Sequence, residues 1–228
     1  MLESGETLDA MQLLQQATNL ILDAVFPRHC FWCKEESALL CERCFSLWTP
    51  RSTGAIGAGK GVDLRIASFA YADPVVNQLI RQWKYHFDMQ AWEILQRKLV
   101  PHWPVLKELV HGHRLEAVVP VSLHYIRHAE RGFDQAEILA DALAEYLQMP
   151  MSHYLKRNRE TGKQADRSTD HRKEEMQKTP FVAQGYLEGA RLLLVDDVWT
   201  TGATMQAAAV ALKTAGAEKV VCYTIAHR

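Results

Sequence analysis

The sequence has 228 residues, 48 % of them apolar and 23 % charged, which suits one α/β-sized domain with a small appendage and excludes a wholly disordered or collagen-like chain. Its 26 basic and 27 acidic residues leave a formal net charge of -1, so no global positive field draws it to nucleic acid or anionic lipid and any anion site must be local. No run of about 18 apolar residues occurs, and Glu3, Glu6 and Asp9 stand where a secretory leader would be positive, so neither membrane insertion nor a signal peptide is expected.

In chain order, Leu13, Leu14, Ala17, Ile21 and Val25 recur at helical spacing between Leu8 and Val25, and Phe26-Pro27 stops the pattern. This amphipathic helix leads into Cys30-x-x-Cys33 and Cys41-x-x-Cys44. Two such pairs so close together place four thiolates around one tetrahedral ion, and Zn²⁺ is the expected occupant. With all four positions filled by protein, that zinc is structural. The fifth cysteine, Cys222, stands alone in an apolar run. An odd count with no leader argues for a reducing, cytoplasmic location. His29, Trp32, Lys34, Arg43 and Trp48 surround the cysteines and could contact single-stranded DNA, although Glu35, Glu36 and Glu42 oppose it; the plainer reading is a zinc clasp packed on the main domain.

Residues 51–61 carry four glycines and read as a flexible junction, which separates a zinc-binding module at 1–50 from a main domain at 62–228. A strand is expected over Arg65–Tyr71, then helices over Pro74–Tyr85 and Met89–Val100, a unit that Pro101 and Pro104 end. Ala117–Ser122 reads as a strand and Asp134–Leu147 as a helix, joined by a loop holding His124, Arg127, His128, Arg131 and Gly132. Ser152–Arg157 is a further candidate strand. Arg159–Lys178 is polar and without period, the composition of a lid. Strand, helix and strand follow at Arg191–Val195, Ala203–Thr214 and Val220–Ala226. That βαβ crossover makes the fold class α/β, with a parallel sheet and flanking helices.

The most informative stretch is Leu192 to Thr204. An apolar strand delivers Asp196 and Asp197 at its carboxyl end, the edge of an α/β sheet where ligands bind. The following turn of Thr200, Thr201, Gly202, Ala203 and Thr204 offers consecutive amides and a helix N-terminus to one anion. The carboxylates suit sugar hydroxyls and a Mg²⁺ that offsets their charge. Phosphate, vicinal diol and Mg²⁺ together describe a ribose 5-phosphate. The stretch is neither a dinucleotide glycine motif nor a P-loop.

This layout of apolar strand, acidic pair and T-G-x-T turn resembles the type I phosphoribosyltransferases. Within them the chain resembles the ComF/GntX family, bacterial proteins linked to DNA uptake in natural transformation. The resemblance spans nearly the whole chain: Phe26-Pro27, both cysteine pairs, Val119-Pro120-Val121, Arg131-Gly132-Phe133-Asp134-Gln135-Ala136, a lid at Thr161–Arg172, and the acidic pair. It implies phosphoribosyl pyrophosphate with Mg²⁺ as ligand, Asp196 and Asp197 on the ribose, and Thr200–Thr204 on the 5-phosphate. Arg131 and Gly132 would face the pyrophosphate, and Lys163 and Arg172 would act from the hood. Asp134 stands where the family usually has Asn, and Glu174 and Glu175 follow the lid; both departures add negative charge beside a polyanion.

Three functions compete on these residues. One is a phosphoribosyltransferase serving DNA uptake, its acceptor unread. Another is a non-catalytic protein that keeps the ligand site and holds single-stranded DNA or a competence helicase. The third is a zinc-bearing adaptor with no ligand, which the intact string from Asp196 to Thr204 disfavours. Lys84 and Tyr85, at the end of an early helix, and Trp199, as stacking surface or buried aromatic, stay open.

Overall fold

In the computed structural model, residues 28–36, 38–121, 134–157 and 180–228 are described. The chain divides after Thr49 into two compact units. In the first, residues 28–36 fold back on themselves. His29 bridges Glu36, the Cys30 amide donates to Glu35 O, and the Lys34 amide donates to Cys30 O. A short helix, α1 (Glu42–Leu47), follows, capped by Cys41, whose Sγ accepts from the Cys44 amide. The helix expected over Leu8–Val25 lies outside the described residues.

The second unit is organised by a five-stranded sheet in the order β1, β2, β7, β6, β3. Its strands are β1 (Ser52–Gly59), β2 (Val62–Ala70), β3 (Ala117–Pro120), β6 (Arg191–Trp199) and β7 (Lys219–His227). All neighbours are parallel except β1, which runs antiparallel to β2. The helices are α2 (Pro74–His86), α3 (Met89–Leu99), α4 (Trp103–Gly112), α5 (Gln135–Leu147) and α6 (Ala203–Thr214); β4 (Leu155–Arg157) and β5 (Phe181–Ala183) form a small antiparallel pair. The expected α/β architecture holds, with a mixed rather than wholly parallel sheet.

Strands covered on both faces read as continuous apolar runs. Leu192, Leu193, Leu194 and Val195 accordingly are all buried. One face of β6 and β7, with Leu192, Leu194, Val220 and Cys222, packs on Met205, Ala208, Ala209 and Leu212 of α6. The alanines of α6 leave little side chain between helix and sheet. At the centre, the buried Tyr223 hydroxyl bonds Ser68 Oγ at 2.7 Å and accepts from Trp103 Nε1 at 3.4 Å. Burial pushes that phenol up to about 12, so it remains a neutral link between α4 and the sheet.

Three expectations are corrected. The glycine-rich 51–61 segment is the edge strand β1 rather than a free junction: pairing with β2 supplies the backbone bonds its own side chains could not. Register shifts at Ala55/Gly57 and Gly57/Gly59 mark bulges, which its glycines tolerate. The helix from Met89 does end at Leu99, ahead of Pro101, but Pro101 and Pro104 also open the elements that follow, because proline lacks only an N–H that a first helical turn leaves unbonded. The strand expected to stop at Val195 continues through Asp196 and Asp197 to Trp199, held by Asp196–Thr224, Val198–Ala226 and Trp199–His227 pairing with β7.

The hairpin between β1 and β2 is closed by Gly61 at φ +72, where a Cβ would meet the Val210 amide nitrogen of α6 at 2.9 Å. Gly61→Ala should therefore cost more than about 1 kcal/mol in urea unfolding, from strain and backbone displacement together. Gly112→Ala, at the end of α4 with nothing within 4 Å of the added methyl, should leave stability unchanged or raise it.

Candidate active site and metal centre

The acidic pair is built by the last residues of β6. Asp197 is 4 % exposed, and its Oδ2 lies 2.6 Å from Lys84 Nζ of α2. Each carboxylate also accepts from the next amide: Asp196 Oδ1 from Asp197 N at 2.8 Å, and Asp197 Oδ1 from Val198 N at 2.7 Å. Burial alone would lower the Lys84 ammonium, but the Asp197 charge and hydrogen bond outweigh it and hold it above its ordinary value. Asp196 goes the opposite way for a carboxylate. Burial first, and then repulsion from Asp197 and Asp134, push it well above the usual range, with Lys84 offsetting only part. Lys84 is thus a cation shared by Asp197, which it touches, and Asp196, whose charge it also feels.

Lys84, whose role at the end of its helix stays open in the sequence, also carries a signal in its spacing. Val76 and Ile80 are fully buried on α2, and Lys84 continues that row at i+4 and i+8. A lysine on a buried stripe needs an acidic partner, and Asp197 is that partner.

Beyond the pair, Thr200, Thr201, Ala203 and Thr204 are exposed while Gly202 is buried. Gly202 is the N-cap of α6, at φ 78, and provides no side-chain cap. Thr201 Oγ1 reaches the Ala203 amide only at 3.4 Å. The first amides of α6 therefore form an open, positively polarised helix end beside the carboxylates. Trp199 is 4 % exposed and lies beneath this turn, which excludes the stacking surface and leaves the buried aromatic. Asp134 caps α5 through its bond from the Ala136 amide at 2.9 Å. Arg131, Gly132, Lys163 and Arg172, with His124, His128 and the lid, lie outside the described residues.

In the first unit, the Sγ atoms of Cys30, Cys33, Cys41 and Cys44 all lie within 4.8 Å of one another. Cys33 and Cys41 are 3.7 Å apart, against about 3.8 Å between thiolates around a tetrahedral zinc. Donor set and spacing both fit that ion. Burial raises the Cys30 thiol, but bonds from the Cys33, Cys41 and Trp32 amides outweigh it and bring it down to about 6. Burial and its sulfur neighbours push Cys44 up to about 12. Of the two tryptophans flanking the cluster, Trp48 is buried and only Trp32, 47 % exposed, presents a ring. Among the described residues, no helix is long and apolar enough to cross a membrane.

The phosphoribosyl transferase domain family matches residues 129–228. Competence protein F of Haemophilus influenzae is 29 % identical over 164 residues, spanning 69 % of this chain and 69 % of its own length. DNA utilization protein YhgH of Escherichia coli is 31 % identical over 163 residues, spanning 68 % of this chain and 69 % of its own. Competence protein ComFC of Streptococcus pneumoniae is 29 % identical over 195 residues, spanning 84 % and 77 %.

The electrostatics separate two adjacent carboxylates. Asp196→Asn should raise stability at neutral pH by about 1 kcal/mol, because it removes a desolvated charge. A raised carboxyl pKa contributes stability that is present below the unfolded value of about 3.9 and lost as pH rises through the folded value. The advantage of the variant should therefore shrink as pH falls toward about 4. Asp197→Asn should destabilise by about 2 kcal/mol, less than the roughly 3–5 kcal/mol of a fully buried pair, since the Lys84 side chain keeps 28 % exposure. Urea unfolding across pH reads both signs. In the first unit, Cys41→Ser should abolish stoichiometric zinc and unfold residues 28–49, because metal binding is folding energy for so small a unit; metal analysis with hydrogen exchange checks it.

Proposed function

Given that the chain belongs to the ComF/YhgH competence-protein family, with a four-cysteine cluster and a phosphoribosyl transferase domain, we propose that it binds phosphoribosyl pyrophosphate at the carboxyl end of β6 and serves the handling of DNA taken up by the cell. The observation that carries the reading is the juxtaposition of two kinds of group at one strand end. Asp196 and Asp197 accept hydrogen bonds; the amides of Thr200–Thr204 donate them. A ribose 5-phosphate needs both, its diol on the carboxylates and its phosphate on the amides.

The acidic pair fits Mg²⁺ in its donor chemistry, since hard cations take carboxylate oxygens. Bound there with the ligand, Mg²⁺ would supply charge to the pyrophosphate. Asp196 and Asp197 orient the ribose hydroxyls, and the 200–204 turn anchors the far end of the sugar, which restricts the reacting C1. Pentosyl transfer breaks the C1–O bond, the electron pair leaving with pyrophosphate, while the lone pair of an acceptor nitrogen forms the new bond at C1 and that nitrogen gives up its proton. Arg131 and Gly132 are assigned to the departing pyrophosphate, and Lys163 and Arg172 to the closing hood. These four roles follow the family pattern, and the zinc assignment to Cys30, Cys33, Cys41 and Cys44 is supported by their paired spacing and converging sulfurs.

A second reading keeps the ligand site without turnover, the protein acting by contact with single-stranded DNA or a competence helicase. The buried carboxylate of Asp134 favours it, because it adds repulsion toward Asp196 at a site that must receive a polyanion.

Calorimetric titration with phosphoribosyl pyrophosphate and Mg²⁺ tests the first reading, and Asp196→Asn is the variant of choice because it is expected to be fully folded. Its affinity for phosphoribosyl pyrophosphate should fall by roughly tenfold to a hundredfold, the loss expected of a charged hydrogen bond. Affinity for inorganic phosphate should hold or rise, since a like charge has gone. Equal loss of both ligands refutes the division of the site. Pyrophosphate release with nitrogen acceptors separates enzyme from binder, and a steep fall of single-stranded DNA binding with salt identifies direct phosphate contact.

A further inference from the structure

The indole of Trp199 is wedged between the hairpin β1–β2 and the turn that opens α6. At Gly202, a Cβ would lie 2.3 Å from Trp199 Cζ2, 2.4 Å from Cε2 and 2.6 Å from Nε1. The Gly202 backbone therefore rests directly on that edge of the ring, in a positive-φ conformation that disfavours any other residue. Over the ring lies the Arg65 guanidinium, its Cζ 5.0 Å from the centroid. Arg65 in turn is tied to β1: Nε donates to Gly57 O and Nη2 to Ile56 O, each at 3.4 Å. Those carbonyls sit at the bulge between Ala55 and Gly57, where Ile56 has no partner in the ladder. Both guanidinium bonds go to carbonyls, so its charge stays in place at this edge; burial and that charge together keep the neighbouring His227 below its ordinary value.

We propose that β1, Arg65 and Trp199 form a strut that holds the 200–204 turn in its anion-ready shape, making Arg65 and Trp199 positioning residues for the phosphate end of the ligand. The inference rests on the reading of that turn as a phosphate site. It assigns a function to the glycine-rich strand: its bulge aims two carbonyls at Arg65, which fixes a flat cation on the indole. The indole supports Gly202 from below. An amide cradle binds an anion well only if its N–H groups are already aimed, because aiming them at the moment of binding costs conformational entropy. A planar guanidinium suits this job better than an ammonium, since it lies flat on the ring while donating in fixed in-plane directions, whereas an ammonium is a compact point charge with rotatable donors.

The test is titration of the full, zinc-loaded chain with inorganic phosphate, comparing the wild type with Arg65→Lys, Arg65→Met and Trp199→Phe at a temperature where circular dichroism shows each folded. Both Arg65 variants should lose roughly three- to thirtyfold in phosphate affinity, the range set by a cation–π contact. Trp199→Phe, which keeps a ring but lacks the Cζ2 and Nε1 edge, should also lose affinity. A merely structural role would lower the unfolding midpoint while leaving the affinity of the folded protein unchanged, and that outcome overturns the strut. Retention of wild-type affinity by Arg65→Lys alone also overturns it, because it would show attraction by charge and not support by a plane. Absence of phosphate binding in the wild type would refute the phosphate site and the strut with it, whereas wild-type binding with unaltered variants refutes the strut only.

Discussion

A carboxylate buried beside another carboxylate is the constraint on which the larger unit turns. Asp197 is nearly inaccessible and Asp196 is raised well above its usual range, so the end of β6 sets two carboxyls where ionising both is costly. The fold answers with one lysine. Delivering Lys84 to within 2.6 Å of Asp197 requires α2 to run inward along its buried row of Val76 and Ile80 and to end at the strand's carboxyl edge. It also requires β6 to stay paired past its apolar run, since the ladder with β7 continues to Trp199. The compensation is uneven, because Asp196 stays raised despite Lys84.

Much of this was legible from residue order. The apolar run of β6, the acidic pair, the turn at Gly202, the alanine-rich α6 and the final strand all follow local rules, and each stands close to where those rules put it. What was not legible depends on partners far away in sequence. Nothing in Ser52–Gly59 announces a strand; its identity comes from β2, which pairs with it. Lys84 was a candidate at a helix end whose role stayed open, because its partner Asp197 lies more than a hundred positions on. Trp199 admitted two readings because a tryptophan after an acidic pair says nothing about which side of the turn it occupies. Gly202 and Arg65 decide that, through packing that no short window contains.

The two units reach stability by different physics. The larger buries strands on both faces and uses few buried polar groups, among them the Tyr223, Ser68 and Trp103 link. Among its described residues the smaller has a six-residue helix and a few turns. Its four sulfurs converge instead, with amides already donated to Cys30 and Cys41.

The bulged edge strand also bears on how the protein meets other chains. A flat, regular edge would present an unbroken row of amides and carbonyls on which a foreign strand could grow, the route to sheet-to-sheet aggregation. Here the two register shifts in β1 break that row, and Arg65 draws the Ile56 and Gly57 carbonyls back toward its own side chain. A segment with hardly any side chains to defend it is thus protected by its irregular backbone. Replacing its glycines to make a more regular strand would create a longer template for assembly, and the sheet would become more orderly and more adhesive at once.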